Sequence, residues 1–144
     1  MRIPAAVLPA LILVLGSGCG DRLTLPISPS QQGARVDVTL HPGQETIVPG
    51  TILRLGFTQV VQDSRCPIDV QCIWQGEAVL ELALGIGMGP SRPDTVSTLP
   101  PKNVTRLFGY RVTLVDVQPA PLSTRQIPPG EYAAHFLVEA VEEP

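Results

Sequence analysis

The chain has 144 residues, with 16 prolines, 13 glycines and a net charge of −3. This length allows one domain, and the proline content excludes long helices because an interior proline costs a helix about 3 kcal/mol. The balance of 13 acidic against 10 basic residues excludes a broad basic surface, so no nucleic-acid partner is expected. An apolar fraction of 44% indicates a folded core.

Residues 1–18 have the pattern of a secretory signal. Arg2 precedes an apolar run at residues 5–15, which is too short for a transmembrane helix of about 20 residues. Small residues follow, and then Cys19. This arrangement resembles the lipobox of bacterial lipoproteins, in which the cysteine receives a diacylglycerol and becomes the new N-terminus. The resemblance implies a lipid anchor at Cys19, with ordinary cleavage and secretion as the alternative, since Gly16 stands where that family usually has leucine.

The mature chain then divides into a tether and a domain. Residues 19–33 comprise the predicted lipidated cysteine and a segment rich in proline, serine and glutamine, which is typical of an extended linker. Residues 34–144 form a single predicted domain. The predicted location is the cell envelope, anchored by lipid and facing the periplasm or the exterior.

Two cysteines remain for the domain, Cys66 and Cys72. An oxidising compartment favours a disulfide between cysteines that are so close in sequence. A metal site is the alternative, but two thiolates do not complete a zinc site, which takes three or four protein ligands. We expect the disulfide, and no metal or other cofactor.

The domain shows the two-residue hydrophobic period of β-strands. Turn signals rich in proline and glycine separate the alternating segments. Together they predict an all-β fold, an antiparallel, immunoglobulin-like β-sandwich of about seven strands, with a partly closed barrel as the alternative. The predicted strands are residues 35–40, 45–48, 51–61, 74–84, 94–99, 109–117 and 131–141.

Side-chain alternation also predicts which residues face the core, and the proline-rich segment at residues 118–130 is predicted to cross from one sheet to the other. The predicted inward residues are Val36, Val38, Leu40, Leu53, Leu55, Phe57, Val61, Trp74, Gly76, Ala78, Leu80, Leu82, Leu84, Tyr110, Val112, Leu114, Tyr132, Ala134, Phe136 and Val138.

The segment around the two cysteines carries the most information. It reads Asp-Ser-Arg-Cys-Pro from residue 63 and Cys-Ile-Trp-Gln-Gly from residue 72. This pattern resembles one that recurs in uncharacterised bacterial secreted proteins and lipoproteins. The resemblance covers most of residues 36–141, and it implies an extracytoplasmic β domain with one disulfide but no known activity.

The same segment has a structural and a functional interpretation. As a structural corner, it holds Trp74 against the disulfide or at one end of the sandwich, and Gly76 leaves room for the indole. Asp63 and Arg65 then form a surface salt bridge or tie the loop backbone. As a binding loop, it presents exposed side chains to a partner, since rigidly held loops often carry function. The candidate partner-binding residues are Asp63, Arg65, Ile68, Asp69, Gln71 and Trp74.

Three functions fit these features. The first is a non-enzymatic envelope lipoprotein that serves a binding or structural role, whose partners are the membrane and an unknown envelope protein or ligand. The second is a secreted protease inhibitor that inserts residues 65–71 or 118–130 into a cleft. The third is a metal or small-ligand binder that uses His135 between Glu131 and Glu139. No catalytic residues are predicted, because no nucleophile elbow or pairing motif for acid–base work is present.

Overall fold

The computed structural model describes residues 35–141 of the chain. The predicted signal sequence, the lipidation site at Cys19 and the tether lie outside the described residues. Within residues 35–141, no helix is both long and apolar enough to span a bilayer.

Residues 35–141 form eight β-strands, which confirms the all-β prediction. Seven correspond to predicted segments. The additional strand, β6, pairs with β7 across a tight turn at Phe108 and Gly109. Because β6 has only four residues, it is too short to show the two-residue hydrophobic period of a strand. The strands are β1 Arg35–Leu40, β2 Gln44–Ile47, β3 Leu53–Asp63, β4 Ala78–Ile86, β5 Arg92–Ser97, β6 Val104–Leu107, β7 Tyr110–Gln118 and β8 Ala133–Ala140.

The strands form two open, four-stranded antiparallel sheets that pack face to face, so the sandwich prediction is confirmed. One sheet has the order β1-β8-β7-β6 and the other β2-β3-β4-β5. Most neighbouring strands in each sheet are joined by hairpins. The exception is β1, which is an edge strand of the first sheet and pairs with β8. Immunoglobulin domains instead place their first, second, fifth and fourth strands in one sheet, so the connectivity here is different.

The core lies between the two inner faces, where alternate residues of each strand are buried. β4 shows the pattern most clearly, with Ala78, Leu80, Leu82 and Leu84 all buried. Phe57 of one sheet meets Phe136 of the other edge to face, with ring centroids 6.5 Å apart. Most predicted inward residues therefore do face the core.

Bulges interrupt the simple alternation of side chains in β3 and in β7. In β3 the register with β4 shifts between Phe57 and Gln59 and again between Val60 and Gln62. The prediction that Val61 faces the core is therefore wrong, because the second shift leaves Val61 59% exposed.

The fourth strand begins at Ala78, and the prediction that it starts at Trp74 is wrong. Trp74 is 83% exposed, so it neither joins the core nor plugs the sandwich. Gly76 has a φ of 66°, and a Cβ there would lie 1.7 Å from the backbone oxygen of Ser64. A glycine is needed at this position for the close approach of two backbones, and not to make room for the indole.

The proline-rich segment does not cross between sheets, contrary to the prediction, because β7 and β8 are antiparallel neighbours in one sheet. Residues 119–132, here called the proline connection, fold over the end of the sandwich and include a 3₁₀ turn at Pro129–Glu131. Residues 64–77, which join β3 to β4, are here called the disulfide connection, and they lie at the same end.

The two ends of the sandwich therefore differ. The disulfide and proline connections form what we call the connection end. The strand pairings place the start of β1 at the opposite end, where Arg35 lies beside Glu139 near the end of β8. That end, here called the entry end, also holds residues 48–52 and 87–91, which are joined by a bond from the Gly87 N–H to the Ile52 oxygen.

Candidate functional site

The connection end is built from loops of both sheets that are hydrogen-bonded to each other. The Ile68 N–H donates to the Pro121 oxygen at 3.0 Å. The backbone N–H and the hydroxyl of Ser123 donate to the two carboxylate oxygens of Asp69 at 2.8 and 2.6 Å. These contacts fasten the disulfide connection to the proline connection.

Asp63 and Arg65 form a largely buried ion pair, with 13% and 14% of their side chains exposed. Two nitrogens of the guanidinium reach the carboxylate at 2.7 and 2.9 Å. The same guanidinium donates to the backbone oxygens of Val117 and Pro119, which belong to the other sheet and its connection. Of the two predicted roles, a surface salt bridge and a backbone tie, the structure shows the tie.

The Tyr132 hydroxyl completes this cluster by donating to Asp63 Oδ2 at 3.0 Å. Burial raises the pKa of Asp63, but the hydrogen bonds and charge of Arg65, with the Tyr132 hydroxyl, outweigh burial and hold that pKa below its ordinary value. Burial, and then the bond to Asp63, raises the pKa of Tyr132. At neutral pH the carboxylate is charged and the phenol is protonated, and in these states the cluster holds the loops together.

The disulfide closes the loop between the two strand ends. The sulfurs of Cys66 and Cys72 lie at bonding distance, 2.10 Å, and the two Cα atoms are 5.9 Å apart, which confirms the predicted pair. The β3–β4 hairpin continues towards it through bonds from the Ser64 N–H to the Glu77 oxygen and from the Cys66 N–H to the Gln75 oxygen.

Four exposed apolar side chains lie on this loop or directly after it, and we call them the apolar tip: Ile68 and Val70 inside the disulfide ring, and Ile73 and Trp74 in the two positions after Cys72. Ile73 is 93% exposed, and Trp74 beside it is 83% exposed. Exposed apolar side chains are ordinary when scattered, but their concentration on one constrained loop is a feature of interaction sites.

The structure divides the six candidate binding residues into two groups. Ile68, Gln71 and Trp74 are exposed and free to meet a partner. Asp63, Arg65 and Asp69 are engaged with other residues of the domain, and the bonds from Ser123 lower the pKa of Asp69.

Sequence reasoning missed Val70 and Ile73 as members of this surface and Tyr132 as a partner of Asp63. A signal for Ile73 was present. Side chains alternate along a strand, so if Trp74 faces the core, as predicted, Ile73 directly before it faces away from the core. The sequence gives no indication of the Tyr132–Asp63 contact. Tyr132 faces the core, as the alternation that continues into β8 predicts, but its hydroxyl bonds to a carboxylate 69 residues away.

A groove of about 710 Å³ runs beside the loop, between the last part of β3 and the proline connection. One wall is the strand itself, and the other combines prolines and Ile127 with Arg125 and Gln126. Residues that line the groove include Gln59, Val61, Gln62, Ile127, Pro128 and Tyr132.

The candidate metal ligands do not come together. His135 lies 3.1 Å from Asp37, while Glu131 and Glu139 each pair with an arginine. Within residues 35–141 no group of three or more acidic, histidine or cysteine side chains is placed to hold a metal ion.

Comparison of the chain with protein-family models, with curated proteins and with solved structures gives no match. The residues of the connection end are therefore the basis for inferring a function.

Proposed function

We propose that the protein is a bacterial envelope lipoprotein whose sandwich domain is a non-enzymatic module for binding another protein of the envelope. The signal pattern, the cysteine at position 19 and the tether composition support the anchor. The resemblance of the cysteine segment to bacterial secreted proteins and lipoproteins supports the same compartment.

The observation that carries the binding role is the pair of adjacent, exposed apolar side chains Ile73 and Trp74, which directly follow the disulfide-closed loop at Cys72. Leaving them in water is unfavourable, and burying one such side chain is worth about 1.5–3 kcal/mol. A tip that protrudes fits a concave apolar pocket, and tryptophan is among the residues that most often dominate protein interfaces.

Rigidity of the loop supports this role. The disulfide, the Asp63–Arg65 pair and the bonds to Ser123 hold the loop before any partner arrives. A preformed loop loses little conformational entropy on binding, so more of the contact energy appears as affinity.

Photo-cross-linking in the living cell tests the proposal. A photoreactive amino acid with a large aromatic side chain replaces Trp74 in the full chain, so that the apolar contact is kept. A second strain carries it at Met88, which is also exposed, at 93%, but lies at the entry end. Irradiation should give one or a few defined protein adducts from position 74 and none of the same mass from position 88.

The identified partner then allows a direct measurement. The Trp74→Ala protein should bind it about tenfold or more weakly than the wild type, whereas Met88→Ala should bind it equally well. Identical adducts from both positions, or an unchanged affinity for Trp74→Ala, would contradict the proposal.

A further inference from the structure

Strand β3 has a free edge. β2 accompanies it only as far as Phe57, where the Gly43 N–H donates to the Phe57 oxygen at 2.7 Å. β3 continues to Asp63 and pairs with β4 on its other side. Within residues 35–141, no backbone hydrogen bond joins residues 58–63 to another segment on the β2 side. This length of strand therefore offers unpaired backbone groups, about 20 Å long at the usual rise per residue.

The free edge opens into the groove described above. Gln59, Val61 and Gln62 line it along the strand and are exposed. The facing wall includes Pro121, Pro128 and Pro129. Since proline has no N–H, these three residues offer apolar contact and no backbone donors, and the strand edge is the wall that supplies a ladder of hydrogen bonds.

The shape of the free β3 edge indicates what kind of partner can bind there. The two bulges of β3 bend and twist the strand, which opposes pairing with the flat edge of a second sheet. The groove volume of about 710 Å³ lies within the range of sites that enclose a ligand. A single extended chain satisfies both the unpaired backbone groups and the limited space.

We infer that the groove binds an extended segment of a partner protein, which pairs as an added strand with residues 58–63 of β3. Its backbone would supply the missing hydrogen bonds, and its apolar side chains would contact Ile127 and the prolines. This inference rests on the proposed function, and it adds that the partner is recognised through a backbone segment beside the apolar tip.

A test uses the full chain purified in detergent micelles and, as a probe, linear 12-residue peptides selected on it from a phage-displayed library. Bound peptides should slow hydrogen exchange by about tenfold or more at those amides of residues 58–63 that do not bond to β4, while exchange in the entry-end hairpin at residues 107–110 stays unchanged. Sedimentation confirms that the protein remains in the same oligomeric state during the measurement.

Variants separate this inference from the proposed function. Gln126 is exposed and lines the groove, so Gln126→Trp should fill the groove and weaken peptide binding about tenfold without disturbing the core. Met88→Trp, the matched control at the entry end, should leave peptide binding unchanged. Trp74→Ala should also leave peptide binding within about twofold, because the strand edge and not the apolar tip holds the peptide.

Three results would overturn strand addition. One is a selection without micromolar binders. Another is binding that leaves exchange at residues 58–63 unchanged. The third is slow exchange, before any peptide is added, at the amides of residues 58–63 that do not bond to β4, which would show that another part of the chain or a second copy already covers the edge. Loss of the cross-links from position 74 with intact peptide binding would contradict the proposed function instead.

Discussion

Arg65 joins the two sheets at the connection end through one side chain. Its guanidinium holds the carboxylate of Asp63 at the end of β3, and it also binds the backbone oxygen of Val117 in β7. The planar fork of arginine suits a carboxylate, and its remaining donors reach the backbone oxygens of Val117 and Pro119. The pair is therefore part of the loop's framework and leaves the exposed positions to Ile68, Gln71 and Trp74.

Acid should weaken this contact, because the Asp63 carboxyl has a lowered pKa in the folded protein. Its stabilisation is fully present above the unfolded-state value, near pH 4, and is lost as the pH falls through the folded-state value. We expect Asp63→Asn to lower the free energy of unfolding by about 2 kcal/mol at pH 7 and by clearly less at pH 2. Urea titrations followed by circular dichroism measure the difference.

Asp37→Asn is the control for this comparison, because Asp37 lies on the surface beside His135. It should change the free energy of unfolding by no more than about 0.5 kcal/mol at either pH. A difference between wild type and Asp63→Asn that stays constant from pH 7 to pH 2 would show that the ion pair is not the source of the stabilisation.

At the scale of the elements, the strands were predictable and the contacts between connections were not. A half-buried strand imposes a two-residue period on its own sequence, which is why Leu80, Leu82 and Leu84 reveal β4. The extra residue of a bulge has no such signature, so the predicted orientation of Val61 was wrong. The bond of Asp69 to Ser123 spans 54 residues, and nothing local in either segment specifies it.

The hairpin that carries the disulfide depends on one glycine. Gly76→Ala should destabilise the domain by roughly 2–4 kcal/mol, because the new Cβ would meet the Ser64 backbone and the residue would keep a positive φ. Gly43 has a φ of 82°, and a Cβ added there would have no neighbouring atom within 4 Å, so Gly43→Ala isolates the conformational cost, about 1 kcal/mol. Thermal unfolding of the two variants gives the comparison, and equal losses would contradict the proposed clash.

For the whole molecule, the decisive property is that the chain enters the sandwich at one end and presents its apolar tip at the other. β1 starts at Arg35 beside the end of β8, whereas the disulfide connection follows the far end of β3. The 11 residues of β3 correspond to roughly 35 Å at the usual rise of a strand. In a domain anchored through Cys19, the tether would join the entry end, so we expect Trp74 to lie on average farther from the bilayer than the entry end does.

Energy transfer to dansyl-labelled lipid headgroups measures this orientation, since Trp74 is the one tryptophan of the chain. A second protein, Trp74→Phe with Phe108→Trp, moves the donor to the exposed β6–β7 turn at the entry end. In vesicles carrying the full lipidated chain, transfer from position 108 should exceed transfer from position 74 severalfold. The reason is that transfer falls steeply with distance and the two ends lie about 35 Å apart. As a control, Cys19→Ala should abolish transfer from both positions. Equal transfer from positions 74 and 108 in the anchored protein would contradict this orientation, because the apolar tip would then also reach the membrane and the partner would have to be sought there.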